Sequence, residues 1–304
     1  MTSYSKLPKT PQQQIQQLKD EGLIISDTLE AERFLEDIAY YRLRAYWIIF
    51  EASSNPRTFK PNIKFEDVTN LYLFDEDLRN LIFSVITRIE ISLRATFSNL
   101  SVNFNSAHFY LDSNNFKRYG THLESLYKIK RTINNNKDEL FIAHYLNKYS
   151  QPELPPVWSV VETLTIGELQ YWITNLKDAQ LGNIARKYGF FKHEPFTSII
   201  ERLSIIRNIC AHHNRLWNRK IVKKKLKQIQ QNNMLKDALS QVANSEETFY
   251  GTFCYMAYML YNIDRDSHAK LINGLKALIA MYTVNVNEMG FASNWQNLAL
   301  FKSC

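Results

Sequence analysis

From Phe65 to Leu100 the chain has neither glycine nor proline, and the apolar residues Leu71, Phe74, Leu78, Leu81, Ile82, Val85, Ile89 and Leu93 recur three and four apart. A half-buried strand alternates every second residue, whereas a helix repeats about every 3.6, so this spacing selects one long amphipathic helix. Helices of that length act as the spine of a bundle. The one place where a break is expected is Phe74-Asp75, because Asp75 is a residue type that starts helices.

The remaining segments read the same way. Thr10 before Pro11 predicts a helix from Pro11 to Glu21, closed by Gly22. Ser26 or Asp27 is expected to cap a second helix running towards Trp47, and Ser53 to Pro61 has the chemistry of a loop. After a polar connection from Asn103 to Asn115, helices are expected over Leu123 to Tyr149, Trp158 to Leu176 with an interruption at Gly167, and Asp178 to Tyr188. Glu194 to Asn214 follows, with Pro195 at the first helical position and a buried stripe of Ile199, Ile200, Leu203, Ile206 and Cys210. Two more helices are expected over Ser245 to Ile263 and Ser267 to Tyr282. No run reads as a strand. The expected fold is all-α, with residues 1–63 as a helical segment packing on a core formed by 64–304.

Composition sets the outer limits. With 8 glycines and 8 prolines in 304 residues, and 45% hydrophobic content, the chain is rich enough to pack and poor in helix breakers. Cys210, Cys254 and Cys304 make no CxxC pair and no zinc-spaced grouping, which suits a reducing compartment and implies no metal site. The N-terminus carries no apolar leader, and Phe249 to Leu260 is too short to span a bilayer. A cytoplasmic protein without cofactor or membrane attachment is therefore expected.

The net charge is +7. Its distribution matters more than its size, because Arg215, Arg219, Lys220, Lys223, Lys224, Lys225 and Lys227 follow one another with no acid between them. Such a run is usually a solvated helix face. Here it begins three residues after His212, and that makes phosphate contact the reading of interest.

Arg207, Asn208 and His212 lie just upstream. Positions four apart share a helix face, so Asn208 and His212 are neighbours, and the long Arg207 side chain reaches the same place. Histidine exchanges a proton near neutral pH, arginine forks onto phosphate oxygens, and asparagine fixes a tautomer or holds a phosphate. Together they suit cleavage of a phosphodiester by its own 2′-hydroxyl. On spacing alone, a capped helix end with an arginine ion pair is the commoner explanation. His213 is likewise read first as a surface or packing histidine, with a catalytic or supporting role as the alternative, and Trp217 as a hydrophobic anchor, with a base-stacking platform as the alternative. Glu90 and Arg94, four apart, and Glu162 in an apolar turn are read as structural, with a supporting contact to Arg207 as the sharper alternative. Tyr40, Tyr41, Tyr46 and Trp47 are read as core, with an aromatic face for unpaired bases beside Arg42 and Arg44 as the alternative.

The longer string Arg207-Asn208-Ile209-Cys210-Ala211-His212-His213-Asn214-Arg215-Leu216-Trp217-Asn218-Arg219 resembles the signature of the AbiF/AbiD abortive-infection family, part of the HEPN superfamily of helical proteins. Three more blocks, in family order, carry the likeness. They are Tyr40 to Trp47 (YYRLRAYW), Leu71 to Arg79 continued by Arg88 to Arg94 (LYLFDEDLR, RIEISLR), and Leu154 to Gly167 (LPPVWSVVETLTIG). Ile166 stands where the family often has Phe, a conservative change. The last 80 or so residues match no block.

The resemblance implies a HEPN-like helical bundle with additional N- and C-terminal helices, acting against phage. Arg207 and His212 match the family's catalytic pair, and Asn208 matches the polar residue after the arginine. It further implies a metal-independent endoribonuclease toxin, a homodimer that builds one composite site from two copies, and, in some members, a small noncoding RNA antitoxin. The rival on the same fold is a noncatalytic RNA-binding regulator. A third reading is a protein-interaction module using the aromatic C-terminal helices.

Overall fold

In the computed structural model, which describes residues 7–230 and 233–302, the first helix begins where its cap predicts. Thr10 caps α1 (Pro11–Asp20) through a reciprocal bond with Gln13, and Pro11 occupies the first turn. Gly22, at φ 96°, turns the chain out of it. The described residues contain thirteen α-helices and one two-stranded sheet, so the fold is all-α.

The chain divides into two units, residues 1–78 with 278–284, and residues 79–277 with 285–304. In the first, the expected single helix towards Trp47 is two, α2 (Thr28–Ile38) and α3 (Tyr40–Trp47). The break is at Ala39, whose φ of 65° no glycine or proline announces. Tyr46 and Trp47 are core residues, as expected, but Tyr41 is exposed. The expected loop holds a short hairpin, β1 (Glu51–Ser54) against β2 (Arg57–Phe59), antiparallel with an irregularity between Glu51 and Ser53. Arg57 from this hairpin pairs with Glu21 and lies over the rings of Tyr40 and Trp47, at 5.7 and 5.3 Å.

The long helix α4 (Phe65–Asn103) is unbroken. Asp75 does not cap a new helix, because its buried carboxylate accepts a hydrogen bond from the Tyr46 hydroxyl at 2.7 Å. After Leu78 this helix belongs to the second unit.

There, the expected helix over Leu123 to Tyr149 is split at its polar middle into α5 (Tyr119–Asn135) and α6 (Leu140–Lys148). The helices α7 (Val157–Thr163) and α8 (Ile166–Asn175) part at Leu164-Thr165, where Thr165 forms a capping box with Glu168. Next come α9 (Asp178–Lys187), α10 (His193–Ala211), α11 (Met234–Ser240), α12 (Phe249–Ile263) and α13 (Arg265–Tyr282), which from residue 278 on belongs to the first unit. Every residue of α12 from Phe249 to Leu260 is buried, which explains a helix apolar on all sides. The helix α10 packs against α8, α9 and α12, and that fixes the element carrying the candidate residues. No helix among the described residues is long and apolar enough to cross a membrane. Cys304 lies outside the described residues.

Candidate functional site

The helix α10 starts two residues earlier than Pro195 predicts, at His193. Proline is tolerated there because the first-turn amides have no partner within the helix in any case. Its inner face buries Phe196, Ile199, Ile200, Leu203, Ile206, Ile209 and Cys210. Full burial of a Leu or Ile side chain contributes about 1.5–3 kcal/mol, so this stripe holds the helix and the rotation of its outer face.

At the C-terminal end, that outer face presents Arg207 half-buried and Asn208 and His212 exposed. A guanidinium nitrogen of Arg207 donates to Asn208 Oδ1 at 3.3 Å. His212 is the residue that closes the helix, and its backbone N–H donates to the Asn208 carbonyl at 3.0 Å. The N–H of His213 then reaches the Cys210 carbonyl at 3.0 Å, and that of Asn214 reaches the Ile209 carbonyl at 2.9 Å. These crossed bonds form a Schellman cap, whose left-handed position glycine normally fills. Here His213 fills it, at φ 54°. A left-handed L-residue costs roughly 1–2 kcal/mol, so the cap places an imidazole where glycine would be cheaper.

The cap has an electrostatic consequence. The carbonyl end of a helix repels anions, but three of its carbonyls are already engaged.

The basic run that follows the cap is not a helix. From Arg215 to Lys227 the chain is an irregular strap pinned by buried Leu216, Trp217, Ile221 and Leu226. Trp217, 1% exposed, is an anchor and not a stacking platform. Arg219, Lys220, Lys223 and Lys227 are exposed, Arg215 is half-buried, and Lys224 and Lys225 pair with Glu201 and Glu247.

Sequence reasoning missed what holds this strap. Arg202, 0% exposed, donates to the Ile221 carbonyl and the Lys224 carbonyl at 3.1 Å each, and to Thr252 Oγ1 at 3.4 Å. Burial pushes its guanidinium down to about 10, with Tyr255, Glu246 and Glu247 opposing, so it remains charged at neutral pH. Ser198 adds a second clasp, accepting from the Lys227 N–H at 2.9 Å.

The remaining candidates lie elsewhere. Arg94 pairs with Glu90 and donates to the Val161 and Leu164 carbonyls, the latter at 2.6 Å, tying the end of α7 to α4. Glu162 is exposed on α7. None of the described contacts of Glu90, Arg94 or Glu162 reaches Arg207.

Comparison with known proteins gives one family. No curated protein and no solved structure matches the chain. A family model described as Abi-like protein matches residues 33–218, more than half of the chain and inclusive of Arg207 to His212. The chain belongs to the Abi-like protein family.

Proposed function

We propose that this protein acts in abortive infection as an endoribonuclease toxin that cuts RNA through the 2′-hydroxyl, with no metal ion required. Family membership supports the abortive-infection role. The observation that carries the chemistry is the end of α10, where Arg207, Asn208 and His212 stand outward on a buried stripe, directly before a strap of exposed cations.

In the proposed reaction, His212 removes the 2′-hydroxyl proton as that oxygen attacks the adjacent phosphorus. Arg207 stabilises the charge that builds on the phosphorane oxygens, and Asn208 orients the guanidinium it already touches. The bond to the 5′-oxygen breaks and that oxygen takes a proton. The products are a 2′,3′-cyclic phosphate and a 5′-hydroxyl. A second copy of the chain bringing its own Arg207 and His212 would complete a composite site and provide the acid. The strap cations bind backbone phosphates, so affinity falls steeply with salt.

The test is induced expression of wild type, Arg207→Ala and His212→Ala, with and without the neighbouring noncoding DNA. Growth arrest with RNA fragments from wild type alone supports the reading. Rescue by the noncoding DNA identifies an RNA antitoxin. Intact RNA with tight RNA binding in all three proteins transfers the assignment to a noncatalytic RNA-binding regulator.

A further inference from the structure

The strap runs antiparallel along α10, and named bonds fix its register. Ile221 and Lys224 lie against Arg202, Lys227 lies against Ser198, and Lys192 Nζ donates to Gln230 Oε1 at 2.8 Å. The chain therefore travels from the His212 end of α10 back to its beginning. At about 1.5 Å per residue, His212 and Pro195 are roughly 26 Å apart along the axis. Exposed Arg219, Lys220, Lys223 and Lys227 mark that route.

The route ends at a cleft of about 710 Å³ whose lining includes Phe190, Phe191, Lys192, Glu194, Lys227 and Gln228. That volume is typical of a small-ligand site. Phe191 leaves 73% of its surface in water, while Phe190 is buried and stacks on Tyr255 at 5.8 Å. The cleft thus joins an exposed ring, two ammonium groups, a carboxylate and the amides of Gln228 and Gln230, beside apolar Pro195 and Ile229. A ring suits stacking on a base, and carboxylate and amide suit the donors and acceptors of a base edge. An apolar peptide would have no use for the cations leading to it.

We propose that this cleft is a base-binding subsite for the substrate strand. Its phosphates follow Arg219, Lys220, Lys223 and Lys227, and one base stacks on Phe191. The proposal rests on reading the end of α10 as an RNA-cleaving site. At about 3.4 Å per stacked nucleotide, roughly eight nucleotides span the distance, and fewer if the strand is stretched. An RNA of about 4 nucleotides occupies one end only, and one of about 12 reaches both.

The experiment measures binding of fluorescein-labelled single-stranded RNAs of these two lengths by anisotropy, in the His212→Ala background so that the probe survives. The longer RNA is expected to bind more tightly. Phe191→Ala should reduce that length advantage about tenfold, the loss of one stacked base, and Phe191→Trp should restore it. Because Phe191 is exposed, the variant leaves the core untouched, and a circular dichroism melt verifies this. A length advantage indifferent to Phe191, with His212-dependent cleavage intact in otherwise native protein, overturns the subsite and leaves the cleavage reading standing. A Phe191-dependent advantage in a protein that never cleaves RNA does the reverse. Failure to bind either RNA overturns both.

Discussion

Replacing Arg202 by methionine keeps most of the side-chain volume but removes the guanidinium that clasps the strap. The Ile221 and Lys224 carbonyls, each held at 3.1 Å, lose their donor. An acceptor left buried and unpaired costs about 1–3 kcal/mol; that applies to the buried Ile221 carbonyl, and the part-buried Lys224 carbonyl adds less. Against this stands relief from burying a charge, which often makes such replacements neutral when every partner is removed as well. Here the partners are backbone carbonyls and stay, so the loss wins. The strap has no regular backbone ladder of its own, and its carbonyls recover water by peeling away. The damage is therefore local. Opening made easier by ~2 kcal/mol populates the peeled form about 30-fold more, and proteolysis tracks that population when opening is fast. Trypsin should nick between Arg219 and Lys227 about 30 times faster in Arg202→Met than in wild type, with only a small fall in Tm. Arg202→Lys, with charge but no fork, should fall between them. Nicking of Arg202→Met at the wild-type rate would refute the clasp.

Three further outcomes follow from single contacts. A Cβ on Gly251 would lie 1.9 Å from the Ser245 carbonyl oxygen; Gly251→Ala should cost about 3 kcal/mol or more, read as a lower urea midpoint or loss of soluble protein. His213→Gly relieves the left-handed backbone at φ 54°, less the entropy glycine loses on folding, and should gain up to about 1 kcal/mol; a fall in Tm would show that contacts of the imidazole outweigh the strain. The Ser267 backbone N–H, and after it Arg88, hold the Asp264 carboxyl down at about 2. Its folded state favours the charged form, so the stability it adds is complete above about pH 4 and is lost as pH falls through 2. Asp264→Asn should flatten that part of the acid limb in urea titrations, and an unchanged limb would count against the pair.

What the sequence reveals is what obeys a period or a local rule. The helix α1 announces itself by Thr10, Pro11 and Gly22, and α4 by its spacing. The break at Ala39 is invisible because an alanine adopts a glycine-like φ within an otherwise helical pattern. The hairpin is hidden because strands of four and three residues leave no alternation to detect. The seven-residue α11 is too short for a periodic signal. Charge density in the basic run is legible but its path is not, since Leu216, Trp217, Ile221 and Leu226 anchor it at no fixed interval. Arg202 was within reach: it stands three residues after Ile199 and four before Ile206, a charge on the apolar stripe. Arg207, Asn208 and His212 can be singled out from sequence. The structure adds their outward presentation on the last turn of α10 and the imidazole of His213 at the cap.

The most direct measurement is the end group left on a defined RNA after incubation with purified protein in excess chelator. Fragments ending in a 2′,3′-cyclic phosphate are expected, lost when the ribose at the cut is 2′-deoxy, and reduced at least 100-fold by Arg207→Ala or His212→Ala. Cleavage that survives 2′-deoxy substitution, that needs added metal, or that persists in His212→Ala would contradict the proposed reaction.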